Sequence, residues 1–207
     1  MQYLLRVWQN LMIKEIKMND TINRVIQVAK NEVGYIEKSE ESYMRKPSIL
    51  DQKKSGAGRD NYTKYGRDMH EIFPEIMDFP ASWCDCFVDW CFYKAYGVNN
   101  AKKLLCGNFE DTTALSAKLF KDSNAWYENN PMVGDQVFFK NEQGICHTGL
   151  VIEVTDDKIT TIEGNTSNKE GLIFEDVCVR EKTYPIDSDL IAGYGRPNYS
   201  LLVTHKK

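Results

Sequence analysis

The spacing of apolar residues changes once along the chain, near Asn130. Before that point they recur at helical spacing. In "NDTINRVIQVAKNEVG", Ile22, Val25, Ile26, Ala29 and Val33 make one apolar face, Asp20 or Thr21 can cap the start, and Gly34 stops it. Ahead of it, in "MQYLLRVWQNLMIKEIK", Leu4, Trp8, Leu11 and Ile16 share a helical face, with Arg6, Lys14 and Lys17 among them. That pattern predicts a separate helix that packs on the domain or pairs with another copy. Transient contact with a membrane surface is the sharper alternative.

Lys38 to Pro80 is polar and punctuated, with "KKSGAGRDN" at its centre, and reads as a long surface loop carrying short helical pieces. Trp83 to Tyr96 is the next helix, ended by Gly97, and short helices follow in "NNAKKLLCG" and "TTALSAKLFKD". After Asn130, "GDQVFFK", "HTGLVIEV" and "KITTIEG" are rich in Val, Ile, Thr and Phe and are separated by "NEQG" and "TDD" turns. "GLIFEDVCVREKTY" and "LIAGYGRP" supply two or three more strands. Helices followed by an antiparallel run of strands predict an α+β fold. The expected organisation is a helical extension at 1–18, one domain at 19–200 and a tail at 201–207.

With 207 residues the chain is long enough for one domain with a real core. The formal charge of −4 gives no basic surface for nucleic acid. No apolar run approaches the roughly 18 residues of a membrane span, so stable membrane insertion is not expected. The first 17 residues have no continuous apolar stretch of the secretory kind, and Met18 is an alternative start. Without a secretory signal, the six cysteines are not expected to form a disulfide framework.

Three cysteines, Cys84, Cys86 and Cys91, crowd into "PASWCDCFVDWCFYKAYG". Ser82 and Asp85 have the S-x-x-D spacing of a capping box, which makes Ser82 the N-cap and puts Cys84 at the second helical position. Unpaired N–H groups and the helix dipole favour a thiolate there, so Cys84 is placed to be reactive. Cys91 lies two turns in, among core residues, and Cys86 points towards Trp90. C-x-C-x4-C is not a zinc-ligand spacing. A cysteine nucleophile needs a base and an orienting partner. Of the three histidines, His70, His147 and His205, only His147 opens a strand. Glu163 and Asn165, two apart on the next strand, project from one face. A three-residue loop at 155–157 pairs Val154 with Lys158. That register sets His147 opposite Asn165, with Glu163 on the diagonal.

These residues resemble the cysteine, histidine-dependent amidohydrolase/peptidase, or CHAP, family. The resemblance rests on "WCDCFVDWC", "PMVGDQVFF", "HTGLVIEV" and "IEGNTS", in that order, with weaker echoes in "AKNEVGYIEK", "NYTKYG" and "IAGYGRPNY". It implies a papain-like fold with the nucleophile on a helix packed against an antiparallel sheet. It also implies cleavage of an amide bond in bacterial peptidoglycan, with Cys84 as nucleophile, His147 as base and acid, Glu163 orienting the imidazole and Asn165 as a further polar member. Trp83, Tyr62 and Tyr65 are the expected substrate-binding aromatics. No cofactor is expected. Some relatives bind calcium, but Asp51 and Asp60 lack the dense alternating oxygen ligands of a calcium loop. A phage endolysin, held in the host cytoplasm until released to the wall, fits the missing signal; so does a delivered toxin. An amidase and an endopeptidase share this chemistry. A non-catalytic wall-binding module, or a cysteine peptidase or deamidase acting on protein, are the alternatives.

Overall fold

A computed structural model describes residues 2–167 and 177–203. The side chains of Leu4 and Arg6, residues 171–176 of the expected strand and His205 lie outside that description. The order of elements is α1 (Gln2–Glu32), α2 (Glu40–Arg45), a 3-10 turn (Pro47–Asp51), α3 (Lys64–Ile72), α4 (Cys84–Tyr96), α5 (Val98–Leu104) and α6 (Thr113–Asp122). The strands follow: β1 (Trp126–Tyr127), β2 (Gln136–Asn141), β3 (Gly144–Val154), β4 (Lys158–Thr166), β5 (Cys178–Pro185) and β6 (Ile191–Gly195). The strands form one antiparallel sheet in the order β1-β6-β2-β3-β4-β5. The expected α+β class is the one found.

The two N-terminal helices expected from the sequence are one helix of 31 residues. Asp20 and Thr21 do not cap a start. The Thr21 hydroxyl donates back to the Lys17 carbonyl at 2.8 Å, a bond that lets a threonine sit inside a continuous helix. Val25, Ile26 and Ala29 bury against the core, whereas Trp8, Leu11 and Ile16 are exposed.

The region from Lys38 to Pro80 is not a surface loop throughout. Tyr65 and Met69 project from α3 into the core and are fully buried, as is Leu50. Thr63 caps α3 by accepting from the Gly66 N–H at 3.1 Å.

Helix α4 is the centre of the molecule, with eleven of its thirteen residues buried. One side packs on α1 and α3, and another lies against β3 and β4. Phe87, Val88, Cys91 and Phe92 join Phe138, Leu150 and Ile162 in the main core. Val137, Phe139, Val151, Ile159 and Tyr194 form a second, smaller cluster. Alternation along β2, β3 and β4 produces the two clusters, because successive side chains leave opposite faces.

The helix meets the sheet at a glycine. A Cβ on Gly164 of β4 would stand 2.6 Å from Phe87 Cβ and 2.9 Å from Trp83 Cζ3. Neither atom is the far end of a flexible chain, so the backbone itself would have to shift. Gly164→Ala is expected to destabilise the fold by about 1–3 kcal/mol, read as a lowered denaturation midpoint, while Gly97→Ala, with no atom within 4 Å of the added Cβ, serves as a comparison in which only backbone strain acts.

Candidate active site

Cys84 is the first residue of α4, one place earlier than the capping box predicts. Trp83 is the N-cap, and no side chain caps the helix. The Ser82 hydroxyl instead accepts from Asn165 Nδ2 at 2.9 Å. Asp85, the expected far end of the box, is buried in a separate network. The start of the helix is fixed by Trp83, which is fully buried. Its ring stacks on Tyr65 at 5.5 Å, and its indole N–H donates to Glu37 Oε2 at 2.7 Å. The Cys84 side chain is nearly buried and its Sγ lies 3.4 Å from Thr113 Oγ1, at the start of α6.

His147 reaches the same place from β3. Its imidazole Nε2 lies 2.9 Å from Glu163 Oε2, and the Cys84 thiol is near enough to the ring to help raise its pKa. Because Glu163 takes Nε2, Nδ1 is the ring nitrogen left for the thiol. In the neutral ring Nε2–H donates to the carboxylate and Nδ1 keeps a lone pair. Burial works against the imidazolium, but Cys84 and Glu163 outweigh it and push the His147 pKa up to about 9.

Glu163 has no exposed surface. Burial works against its charge, yet His147, Lys182 and Thr161 hold the carboxyl below the usual range. The Thr161 hydroxyl donates to Oε1 at 2.6 Å and Lys182 Nζ lies 3.7 Å from Oε2; the carboxylate in turn adds to burial in raising the pKa of the nearby Tyr184 hydroxyl. A buried carboxylate is tolerated when its lone pairs are filled in this way. Gly149 makes room for it: a Cβ there would stand 2.6 Å from Glu163 Cγ.

The expected register is reached by a different route. Next to the turn Val154 pairs with Ile159 and Glu153 with Thr160, one residue off the expected alignment. A bulge at Ile152 then restores it, and Val151 pairs with Thr161 and Leu150 with Ile162. A second irregularity, between Glu163 and Thr166 against β5, separates Glu163 from Asn165. Asn165 has φ 54° there, a left-handed conformation that asparagine tolerates. The expectation that both project to the imidazole therefore holds for Glu163 only; the Asn165 amide goes to Ser82.

The sequence gives no sign of the network behind the site. Gln136 of β2 is fully buried, and its amide donates to Asp85 Oδ1 at 3.0 Å and to Thr148 Oγ1 at 3.1 Å. Asp85 follows Cys84 and Thr148 follows His147, so one amide ties together the neighbours of both residues. The Ser116 hydroxyl of α6 donates to Asp85 Oδ2. Asp89, one turn on, is also buried, and burial pushes both carboxyls above the usual range.

Of the expected substrate-binding aromatics, Tyr62 and Tyr65 line neither cavity beside the start of α4, whereas Trp83 lines one. Tyr65 and Trp83 have no exposed surface and support α4 from behind. Tyr62 is 7% exposed, stacks on Tyr43 at 4.7 Å and is hydrogen-bonded to Glu40. Two cavities of about 200 Å³ lie beside the start of α4. One is lined by Met77, Asp78, Ala81, Ser82, Trp83 and Cys86, the other by Cys84, Asp111, Thr112, Ala114, Ile145 and Cys146. Asp51 pairs with Arg67 at 2.9 Å, and Asp60 accepts from the Glu40 N–H at 2.9 Å. Among the described residues no group of three or more His, Cys, Asp or Glu is arranged to hold a metal ion. Nor is any described helix long and apolar enough to cross a membrane.

Residues 76–165 match the CHAP domain family. The family expected from the motifs is the one found. The CHAP match contains Cys84, His147 and Glu163 and ends on Asn165, while Tyr62 and Tyr65 lie before it. CHAP domains are generally cysteine- and histidine-dependent amidohydrolases, which agrees with an imidazole hydrogen-bonded to a buried carboxylate and set beside a thiol. No curated protein and no solved structure matches the chain.

Glu163→Gln removes a charge that stabilises the imidazolium. The His147 pKa is expected to fall from about 9, read from the imidazole resonances in an NMR pH titration. Cys84→Ala is expected to move it in the same direction.

Proposed function

We propose that the protein is a peptidoglycan hydrolase with a papain-like arrangement, cleaving an amide bond of the bacterial cell wall through Cys84, His147 and Glu163. The observation that carries this reading is the line Cys84–His147–Glu163, with each member held from a different element. His147 takes the thiol proton, and the Cys84 thiolate attacks the amide carbonyl. The N–H groups at the start of α4 have no side-chain cap, which suits them to receive the negative charge that develops on the carbonyl oxygen. The His147 imidazolium then protonates the leaving amine. Water, deprotonated by the same imidazole, releases the acyl group and restores the thiol. Glu163 stays ionised, orients the ring and stabilises its charge. Asn165 is a positioning residue in this scheme, acting on Ser82 ahead of the helix. An amidase and an endopeptidase need the same residues, so the bond is set by the cavities beside Cys84. A phage endolysin acting at the wall is one setting for this chemistry, and a delivered toxin is another.

The test is a digest of purified Gram-positive peptidoglycan followed by mass spectrometry. Wild type is expected to release fragments, and Cys84→Ala and His147→Ala to lose at least about a thousandfold in rate. Free stem peptides identify an amidase; split stems or bridges identify an endopeptidase. Equal activity in Cys84→Ala sinks the assignment. Activity on a protein and none on several wall types moves the protein-substrate alternative to the front.

The imidazolium is the form that protonates the leaving amine. Its pKa of about 9 places the alkaline fall in rate near that pH, as the ring loses its proton. In Glu163→Gln the fall is expected at lower pH. Gln136→Leu removes the tie between Asp85 and Thr148 and is expected to lower kcat by about a hundredfold with KM little changed. Unchanged kcat would show that the packing alone holds the pair.

A further inference from the structure

We infer that Cys146 is a resolving thiol for Cys84, so that oxidation closes a reversible Cys84–Cys146 disulfide across the mouth of the active site. The inference rests on the assignment of Cys84 as nucleophile. Three observations support it. Cys84 and Cys146 line the same cavity of about 210 Å³, between the start of α6 and β3. Cys146 is exposed and is not in a disulfide. It is also the extra residue of a bulge: His147 pairs with Phe139 and Ile145 with Lys140, so Cys146 has no register partner on β2, and its thiol makes only a long contact of 3.8 Å to the Phe139 carbonyl. Bulges re-aim side chains and loosen the local ladder. Alternation alone would send Cys146 away from His147, but the bulge breaks the alternation there, and Cys146 lines the same cavity as Cys84. The charge of Cys84 adds to burial in raising the Cys146 pKa, which fits two sulfurs that sense one another.

The remaining cysteines are placed differently. Cys86 and Cys91 are buried along α4, Cys178 is buried on β5, and Cys106 lies at the end of α5. None of them lines the cavity that Cys84 shares with Cys146.

The chemistry balances with a peroxide as oxidant. The Cys84 thiolate attacks hydrogen peroxide, the O–O bond breaks, hydroxide leaves and Cys84 becomes a sulfenic acid. The Cys146 sulfur then attacks the Cys84 sulfur, the S–O bond breaks and water leaves with the Cys146 proton. Two thiols have given up two electrons, and peroxide has been reduced to water. A dithiol reductant reverses the process. Without a resolving thiol, a sulfenic acid proceeds to the sulfinic acid, which dithiols do not reduce.

The full-length protein is treated with hydrogen peroxide, split, and one half reduced with dithiothreitol. The readouts are peptide mapping without reduction and iodoacetamide labelling of Cys84, neither of which needs activity on cell wall. In wild type, a peptide pair joined through Cys84 and Cys146 and lighter by two hydrogens is expected, and dithiothreitol restores labelling of Cys84. Cys146→Ser is expected to label normally before oxidant, and dithiothreitol fails to restore its labelling after oxidant. Cys84 found as sulfinic acid in wild type, Cys84 joined to another cysteine, or full recovery in Cys146→Ser would each overturn the proposal. Activity on cell wall that survives in Cys84→Ala is the separate sign that the nucleophile is misassigned.

Discussion

The close approach of α4 to β4 is the constraint on which the site depends. Gly164 lets Trp83 and Phe87 lie directly against the strand, and that contact sets the height of the helix over the sheet. Cys84 stands between those two aromatics in sequence, so its position follows from theirs. Glu163 precedes the same glycine. The thiol and the carboxylate are thus positioned from the two sides of one contact, and the imidazole spans the gap between them. A nucleophile and a base must be placed to within a fraction of an ångström to act together. A packed helix–strand contact gives that accuracy in a way an exposed loop does not.

Charge is handled by the same economy of position. Glu163 is buried without loss of ionisation because His147, Thr161, Lys182 and Tyr184 surround it. Asp85 and Asp89 are buried with fewer compensating groups; one oxygen of Asp89 has no hydrogen-bond partner. The first arrangement keeps a carboxylate charged beside an imidazole. The second holds polar groups beneath the helix start, where Gln136 and Ser116 connect α4 to β2, β3 and α6. Breaking one of these bonds would leave a further buried group unpaired, beside Gln136 Oε1 and the Asp89 oxygen that have no partner.

Much of this is legible in the sequence because it is local. The apolar periodicity of 84–96, Gly97 as its stop and the alternation of β2 to β4 need only near neighbours. The pairing of His147 with Glu163 is legible because a short hairpin joins their strands. The misreadings have distant causes. Asp20 and Thr21 look like caps, but the helix runs on through them, with its second half held by tertiary packing. Ser82 looks like an N-cap until Asn165, from the far end of the sheet, takes part in its hydrogen bonding. Tyr65 reads as a substrate-binding aromatic because a polar stretch surrounds it, and only the packing of α3 on α4 shows it buried. Lys182 and Tyr184 belong to β5, whose register across from Glu163 no short spacing reveals. The bulges at Ile152 and Cys146 are invisible for the same reason: a single-residue offset is decided by the partner strand.

Helix α1 has one more consequence. It is unbroken from Gln2 to Glu32, and its second half is locked into the core by Val25, Ile26 and Ala29. Its first half carries Trp8, Leu11, Met12, Ile13 and Ile16 in the open. At about 1.5 Å per residue, Trp8 stands roughly 27 Å along the axis from Ile26. The helix is continuous between them, so the apolar stripe from Trp8 to Ile16 is carried on the same helix whose other half packs on the active-site helix α4.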